Sequence, residues 1–252
     1  MYIIDKLKMV NNTAQTDSIE FILSKYFLKN LLNLKKVSLK RISLETGLSK
    51  STVIRFCQRA GFSGFTVFID ELSLEALELN NILKSYQHMD LIIYENIKAD
   101  FIKQCKNQLR EDVYHNFLDL IKNSSKILFY GHNKYISCFH LSTSYLLMMG
   151  KDVIDNMCWD IKKQNLLFSD LKENDLIIIV EPYMNWRNYK ELLTITMDAL
   201  QNLNDSKAKI AFIGQDTNEN VDISIALPYT YYETLYKDFI IYLDMMLVTD
   251  LK

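Results

Sequence analysis

Between Lys35 and Gly64 the chain carries Lys35, Lys36, Lys40, Arg41, Lys50, Arg55 and Arg59 against one acid, Glu45, a local net charge of +6. The chemistry open to such a segment is recognition of a phosphate backbone, which Lys and Arg neutralise with release of counterions. Short hydroxyls, Ser49, Ser51 and Thr52, are interleaved with the cations. Side chains of that size enter a major groove, and an arginine such as Arg55 is long enough to reach a guanine edge. A solvated basic face without a partner has the same composition, so charge alone does not identify a binding site.

The elements needed to position these residues are legible around them. Ser38 is placed to cap a short helix, Leu39 to Thr46, and Gly47 follows as a left-handed stop. Ser49 caps the next helix, Lys50 to Ala60, closed by Gly61-Phe62-Ser63-Gly64. Ile42 anchors the first helix, Ser43 is small where the helices meet, and Leu48 plugs the corner. Val53 and Phe56, three apart, make one side of the second helix apolar and leave the other to the cations. Two short helices joined at a glycine, the second amphipathic and basic, are what a helix-turn-helix requires. The expected duplex-contacting set is Lys40, Ser49, Lys50, Ser51, Thr52, Arg55 and Arg59. An ordinary helical pair with a glycine turn is the plain alternative.

Around this pair, Asp17 or Thr16 can cap a helix from Ser18 with Ile19, Ile22, Leu23, Tyr26, Phe27, Leu31 and Leu34 at helical spacing. A further helix is expected from Phe65 to about Leu79. Asn80 to Met89 is polar and lacks clear periodicity, so it reads as a linker. The texture then changes. Helices over Leu91–Leu109 and Glu111–Lys122 precede short apolar strands at Lys126–Tyr130, Asp152–Ile154, Asp175–Val180, Lys209–Ile213 and Asp222–Leu227. Helices at Ser137–Met149, Trp186–Leu203 and Glu233–Thr249 separate or follow them. Alternation of this kind implies βαβ units and a parallel sheet flanked by helices. The expected organisation is an all-α domain over 1–79, a linker over 80–94 and an α/β domain over 95–252.

Composition is consistent with that reading. Apolar residues make up 49% and charged residues 24%, which is the range of folded globular chains. The net charge of −2 hides an asymmetry: residues 1–80 carry +3 and the remainder −5. The first residues lack a secretory leader's unbroken apolar stretch, and no window reaches the roughly 18 apolar residues of a membrane span. Phe239–Val248 is the nearest candidate and is short and interrupted by Asp244. A cytoplasmic location without membrane contact follows by elimination. Cys57, Cys105, Cys138 and Cys158 form no C-x-x-C pair and read as reduced thiols. Cys138-Phe139-His140 with His132 has no standard zinc spacing, and no metal or cofactor is expected.

The run Ser49-x-x-Thr52-Val53-x-Arg55-Phe56, followed by Gly61-Phe62-Ser63-Gly64-Phe65, resembles the N-terminal domain of the RpiR family of bacterial transcription regulators. The resemblance implies a sequence-specific regulator, of carbohydrate-related genes, that binds a double-stranded DNA operator as a homodimer or higher homo-oligomer. It further implies a C-terminal sugar isomerase (SIS) domain that senses phosphosugars, and the element order from Lys126 onward is similar to that. The family's phosphate-cradling turns are not matched. Gly131-His132-Asn133-Lys134-Tyr135 stands where Gly-x-Gly-x-Ser is usual, and Val180-Glu181-Pro182-Tyr183-Met184-Asn185 where Ser-x-Ser-Gly-x-Thr is usual. Pro182 lacks an N–H, Glu181 brings like charge, and the tyrosines bring bulk. His132, Asn133, Lys134 and Arg187 remain as candidates for a rebuilt site for an anionic effector, with a purely structural, dimerising domain as the alternative.

Two other classes compete. A sugar-phosphate isomerase would need a base near C1–C2 and a phosphate anchor, with His132, His140 or Glu233 as bases. No G-x-S-x-G, Walker loop, H-E-x-x-H or dinucleotide glycine fingerprint occurs, so no enzyme is expected. A helix-turn-helix used as a protein-binding module would lack salt-sensitive affinity for duplex DNA.

Overall fold

The computed structural model describes residues 3–131, 133–155, 160–182, 205–215, 221–230 and 232–251. They form two compact units. The first gathers the described residues up to Met89 together with 160–166, and the second holds the others from Asp90 onward.

The first unit contains α1 (Ile3–Thr13), α2 (Ile19–Lys29), a 3-10 segment (Leu31–Lys36), α3 (Leu39–Thr46), α4 (Lys50–Arg59) and α5 (Phe65–Gln87). Its core is aromatic. Phe27 lies 4.9 Å from Phe68 and 6.1 Å from Phe56 between ring centroids, and Phe62 lies 5.3 Å from Phe68. Such pairs add to what area burial alone supplies. α1 was not expected from the sequence, although Ile3, Ile4, Leu7 and Val10 are spaced for one helical face and all four are buried. The helix after it starts one residue later than expected. Ser18 is itself the cap, accepting the Phe21 N–H at 3.2 Å, and Asp17 precedes it at φ +71°. The helix ends early as well. Asn30 donates its side-chain amide to the Tyr26 carbonyl at 2.8 Å, and the apolar run continues as the 3-10 segment. α5 corrects the expected helix end near Leu79. No Gly or Pro occurs between Phe65 and Gln87, and Leu79, Ile82 and Tyr86 hold one face half-buried, so the helix runs on through the polar stretch.

The N-terminal end of α1 is closed by a side chain from α5. The Glu75 carboxylate accepts the N–H of Ile3 at 2.7 Å and that of Ile4 at 3.2 Å. Burial pushes this carboxyl up to about 8, against the two backbone N–H groups, and the Asp5 charge adds to the rise. An acid whose folded value lies above its unfolded one binds a proton on folding. Its contribution is therefore complete below the ordinary carboxyl value and is lost as pH rises through about 8. Thermal melts of the full chain between pH 5 and 8 are expected to fall with pH, and Glu75→Gln is expected to flatten that slope. An unchanged slope in the variant would contradict the assignment.

The second unit is built on a five-stranded parallel sheet of order β2-β1-β3-β4-β5. The strands are β1 (Lys126–Gly131), β2 (Asp152–Ile154), β3 (Asp175–Glu181), β4 (Lys209–Gly214) and β5 (Ile223–Ala226). β3 is central and buried along its whole length, as an apolar run in a parallel sheet should be. The helices from Asp90 onward are α6 (Leu91–Gln108), α7 (Glu111–Asn123), α8 (Asn133–Ile136), α9 (His140–Met148), α10 (Ile161–Ser169), which is divided between the two units after Leu166, and α11 (Glu233–Asp250). The single helix expected over Ser137–Met149 is a 3-10 turn (Ser137–Phe139) followed by α9, with the short α8 ahead of both. The one expected over Trp186–Leu203 lies outside the described residues. Tyr236, Phe239, Ile240, Leu243 and Leu247 of α11 are buried, so that stripe is core. Asp244, the charge that interrupts it, accepts the N–H groups of Leu141 and Ser142 at 3.0 and 2.8 Å and caps α9. No helix among the described residues is long and apolar enough to cross a membrane.

Candidate nucleic-acid interface

α3 and α4 meet as the sequence requires. Ser38 accepts the Arg41 N–H at 3.2 Å, and Ser49 accepts that of Thr52 at 3.2 Å, so each helix starts on a hydroxyl cap. Gly47 closes α3 at φ +73° with its N–H on the Ser43 carbonyl at 3.0 Å, and no atom lies within 4 Å of where a Cβ would stand. The glycine is needed for its backbone angle, not for space.

The two sides of α4 are chemically opposite. Val53, Phe56 and Cys57 are buried, and burial pushes the Cys57 thiol up to about 12, which keeps it an unreactive packing group. Lys50, Ser51 and Arg55 are exposed, with Thr52 half-exposed beside them. Ser51 and Arg55 are four apart and Thr52 and Arg55 three apart, so these side chains share a face. Lys40 is exposed on α3. Among the described residues Lys40, Lys50 and Arg55 make no ion pair, which leaves three cations available to an external anion.

Lys35 and Lys36 are exposed as well, whereas Arg41 and Arg59 are occupied. Arg41 donates to Glu45 at 2.6 Å, and this partner holds the Glu45 carboxyl below its usual range. Arg59, at the last turn of α4, pairs with Glu20 of α2 and with Asp160 at 3.2 Å, all within the first unit. The signal for Glu20 was one helical repeat of α2, which sequence alone does not bring next to Arg59. Ser49 is engaged as well. Its hydroxyl lies 2.9 Å from that of Ser51 and 2.8 Å from that of Thr52. The result is a small hydroxyl cluster at the start of α4, where free backbone N–H groups and the helix dipole suit a phosphate oxygen.

In the second unit, the strand order reverses between β1 and β3, and ligands of open parallel sheets sit beyond the strand ends at such a point. Asn133 and Lys134 follow β1 directly at this end. The Lys134 ammonium is paired with Glu233, which also faces Lys237 at 3.8 Å, and Glu181 ends β3 as a buried acid. The Tyr236 hydroxyl accepts the Thr230 N–H at 3.1 Å and so pins the chain after β5. His132 and Arg187 lie outside the described residues, as do Tyr183, Met184 and Asn185. Cys138, weighed with His140 as a metal pair, instead donates its thiol to the Lys134 carbonyl at 3.3 Å, and His140 is exposed.

Comparison with known proteins agrees with the first unit. Residues 3–76 match the helix-turn-helix domain of the rpiR family. Over 120 residues, 44% of this chain, the sequence is 28% identical to an HTH-type transcriptional regulator of Clostridium perfringens, and the match spans 43% of that relative's length. Among solved structures, the chain is similar to Vibrio vulnificus NanR complexed with ManNAc-6P, at 15% identity and a TM-score of 0.48 over 98% of this chain and 90% of that one. It is also similar to the sugar isomerase domain of an RpiR transcription factor from Sphaerobacter thermophilus, at 13% identity and a TM-score of 0.49 over 64% of this chain and 88% of that one.

Proposed function

We propose, from the premise that residues 3–76 form a helix-turn-helix domain of the rpiR family, that the chain is a sequence-specific DNA-binding transcription regulator acting in the cytoplasm. The observation that carries this reading is the basic, open face of α4 held on capped helices around Gly47. Lys40, Lys50 and Arg59 approach phosphates, while Ser51, Thr52 and Arg55 read base edges in the major groove. Arg59 must first exchange its carboxylate partners for a phosphate. One reading helix gives too little contact for genomic selectivity, so two copies act as a homodimer on an operator with two half-sites. The test is equilibrium binding to duplex DNA at several salt concentrations. Affinity should fall linearly on logarithmic axes, by about 0.9 per phosphate neutralised. Affinity for duplex that ignores salt would contradict the reading and favour a protein-binding module.

The second unit, in this account, joins the two copies and sets the spacing of their reading helices. Any effector acts only through unequal affinity for the competent and incompetent spacings. On this reading the regulated genes are carbohydrate-related ones, which the resemblance to the family supports. The usual phosphosugar is not the ligand. Lys134, which follows β1 at the strand ends, is held by Glu233, and Glu181 ends β3 there as a buried acid. Glu233, the acid considered as an isomerase base, is engaged with Lys134 and Lys237, which speaks against an enzyme. Titration of the full chain with hexose 6-phosphates is expected to give no heat at micromolar concentrations. Micromolar binding would refute the loss of that site.

A further inference from the structure

We infer that Lys6 is a positioning residue for DNA readout, holding α4 from behind so that its outer face keeps the orientation that discriminates bases. The inference rests on the DNA-binding reading above and extends the reader beyond the helix-turn-helix itself to α1.

Lys6 is 2% exposed, among the most buried large side chains of the protein. Its ammonium donates to the Ala60 carbonyl at 2.8 Å, across 54 residues of sequence. Ala60 is the C-cap of α4, the point where helix carbonyls run out of intrahelical partners and the dipole is negative. A cation there satisfies both needs. α1 is itself anchored: its N-terminal N–H groups are taken by Glu75 of α5, and Ile3, Ile4 and Leu7 share a core with Phe56 and Cys57 of α4. The chain of contact therefore runs from α5 through α1 to the end of α4. The far end of that helix carries Ser51 and Thr52, and its middle carries Arg55.

Burying an ammonium is expensive, and a hydrogen bond to one carbonyl offsets only part of that cost, so stability alone gives weak reason for a lysine at this place. The directed bond to the Ala60 carbonyl fixes the axial position of α4, which packing of apolar side chains leaves softer. Base discrimination is sensitive to that position because side-chain forks must meet base edges within hydrogen-bonding distance. Phosphate attraction is much less sensitive, because it depends on charge near the backbone rather than on exact placement.

The experiment compares Lys6→Met and Lys6→Arg with the wild-type full chain. It measures affinity for an operator duplex recovered by selection, affinity for a scrambled duplex at the same salt, and melting temperature. Lys6→Met is expected to lose about tenfold in the operator-to-scrambled ratio, with affinity for the scrambled duplex within about twofold and a melt lowered only modestly, by the loss of the Ala60 carbonyl's donor. Lys6→Arg, which keeps a donor cation, should recover most of the ratio. An unchanged ratio in Lys6→Met overturns the inference while leaving the DNA-binding reading intact. So does failure of Lys6→Met to fold, because the ammonium would then support the domain rather than aim the helix. Wild-type chain that does not prefer any operator overturns the parent reading and this inference together.

Discussion

Replacing Arg55 by alanine is expected to weaken binding to the operator duplex by about 1–3 kcal/mol, roughly 5- to 150-fold, without changing the melting temperature. Arg55 is exposed, makes no ion pair among the described residues and shares its face with Ser51 and Thr52. Nothing in the fold depends on its head group, so the loss should appear in binding alone. Because a base contact carries sequence information, the variant should also relax discrimination at one operator position. Lys50→Ala should behave differently. Losing a phosphate contact weakens binding about equally across sequences and reduces the salt slope by about 1. Arg41→Ala should do little, since that guanidinium is already committed to Glu45. Titrations of the three variants against operator and scrambled duplex separate these outcomes. Equal affinity of Arg55→Ala and wild type would remove Arg55 from the reading set.

The second large effect concerns the sheet. Gly131→Val is expected to destabilise the second unit by about 3–5 kcal/mol, seen as a lower melting temperature or loss of soluble protein. Gly131 ends β1 at φ +131°, opposite Val180 of β3, and a Cβ there would stand 2.2 Å from the Val180 carbonyl oxygen. That atom is backbone of the central strand and cannot swing away. Gly150 provides the control. Its φ is also positive, +80°, yet no atom lies within 4 Å of its Cβ position. Gly150→Ala should carry only the dihedral strain, about 1–2 kcal/mol. Comparable melts for the two variants would show that β1 and β3 part more easily than their close approach implies.

The contrast between these glycines shows what could be read from the sequence and what could not. Gly47 stood at the end of a short periodic segment, between two hydroxyl caps, and its role as a left-handed stop follows from local rules alone. Gly131 ended an apolar strand, but its need for bare backbone comes from Val180, nearly fifty residues on, and emerges only with the register of the sheet. The pattern holds elsewhere. Ser38, Ser49, Val53 and Phe56 act within one or two helical turns, and all were legible. Long-range pairings were not. Glu20 against Arg59, Glu75 over the start of α1, Lys6 against Ala60 and Asp244 over the start of α9 each join residues that sequence spacing cannot bring together. Asp244 is instructive: it looked like an interruption of an apolar helix and is the cap of another. The end of α5 was illegible for a different reason: Asn80 to Gln87 is polar, yet without Gly or Pro the helical backbone continues through it.

The candidate site was legible in proportion to its locality. The face of α4 is one helix, and its composition could be assigned residue by residue before any contact was known. The strand-end site of the second unit is assembled from the ends of separate strands and the start of α11. From sequence, Lys134 was one of four candidates for a rebuilt anion site. In the fold it is the partner of Glu233, ninety-nine positions away. The two sites therefore carry different weights in this account, and its central claim belongs to the first.

That claim is tested most directly by selecting binding fragments from a pool of sheared genomic DNA with the full-length chain, at two salt concentrations. The account predicts enrichment of an inverted repeat whose half-sites lie about one helical turn, or a multiple of it, apart, with recovery falling steeply at the higher salt. No enrichment at either concentration would contradict it and would leave the α3–α4 pair as a surface for another protein.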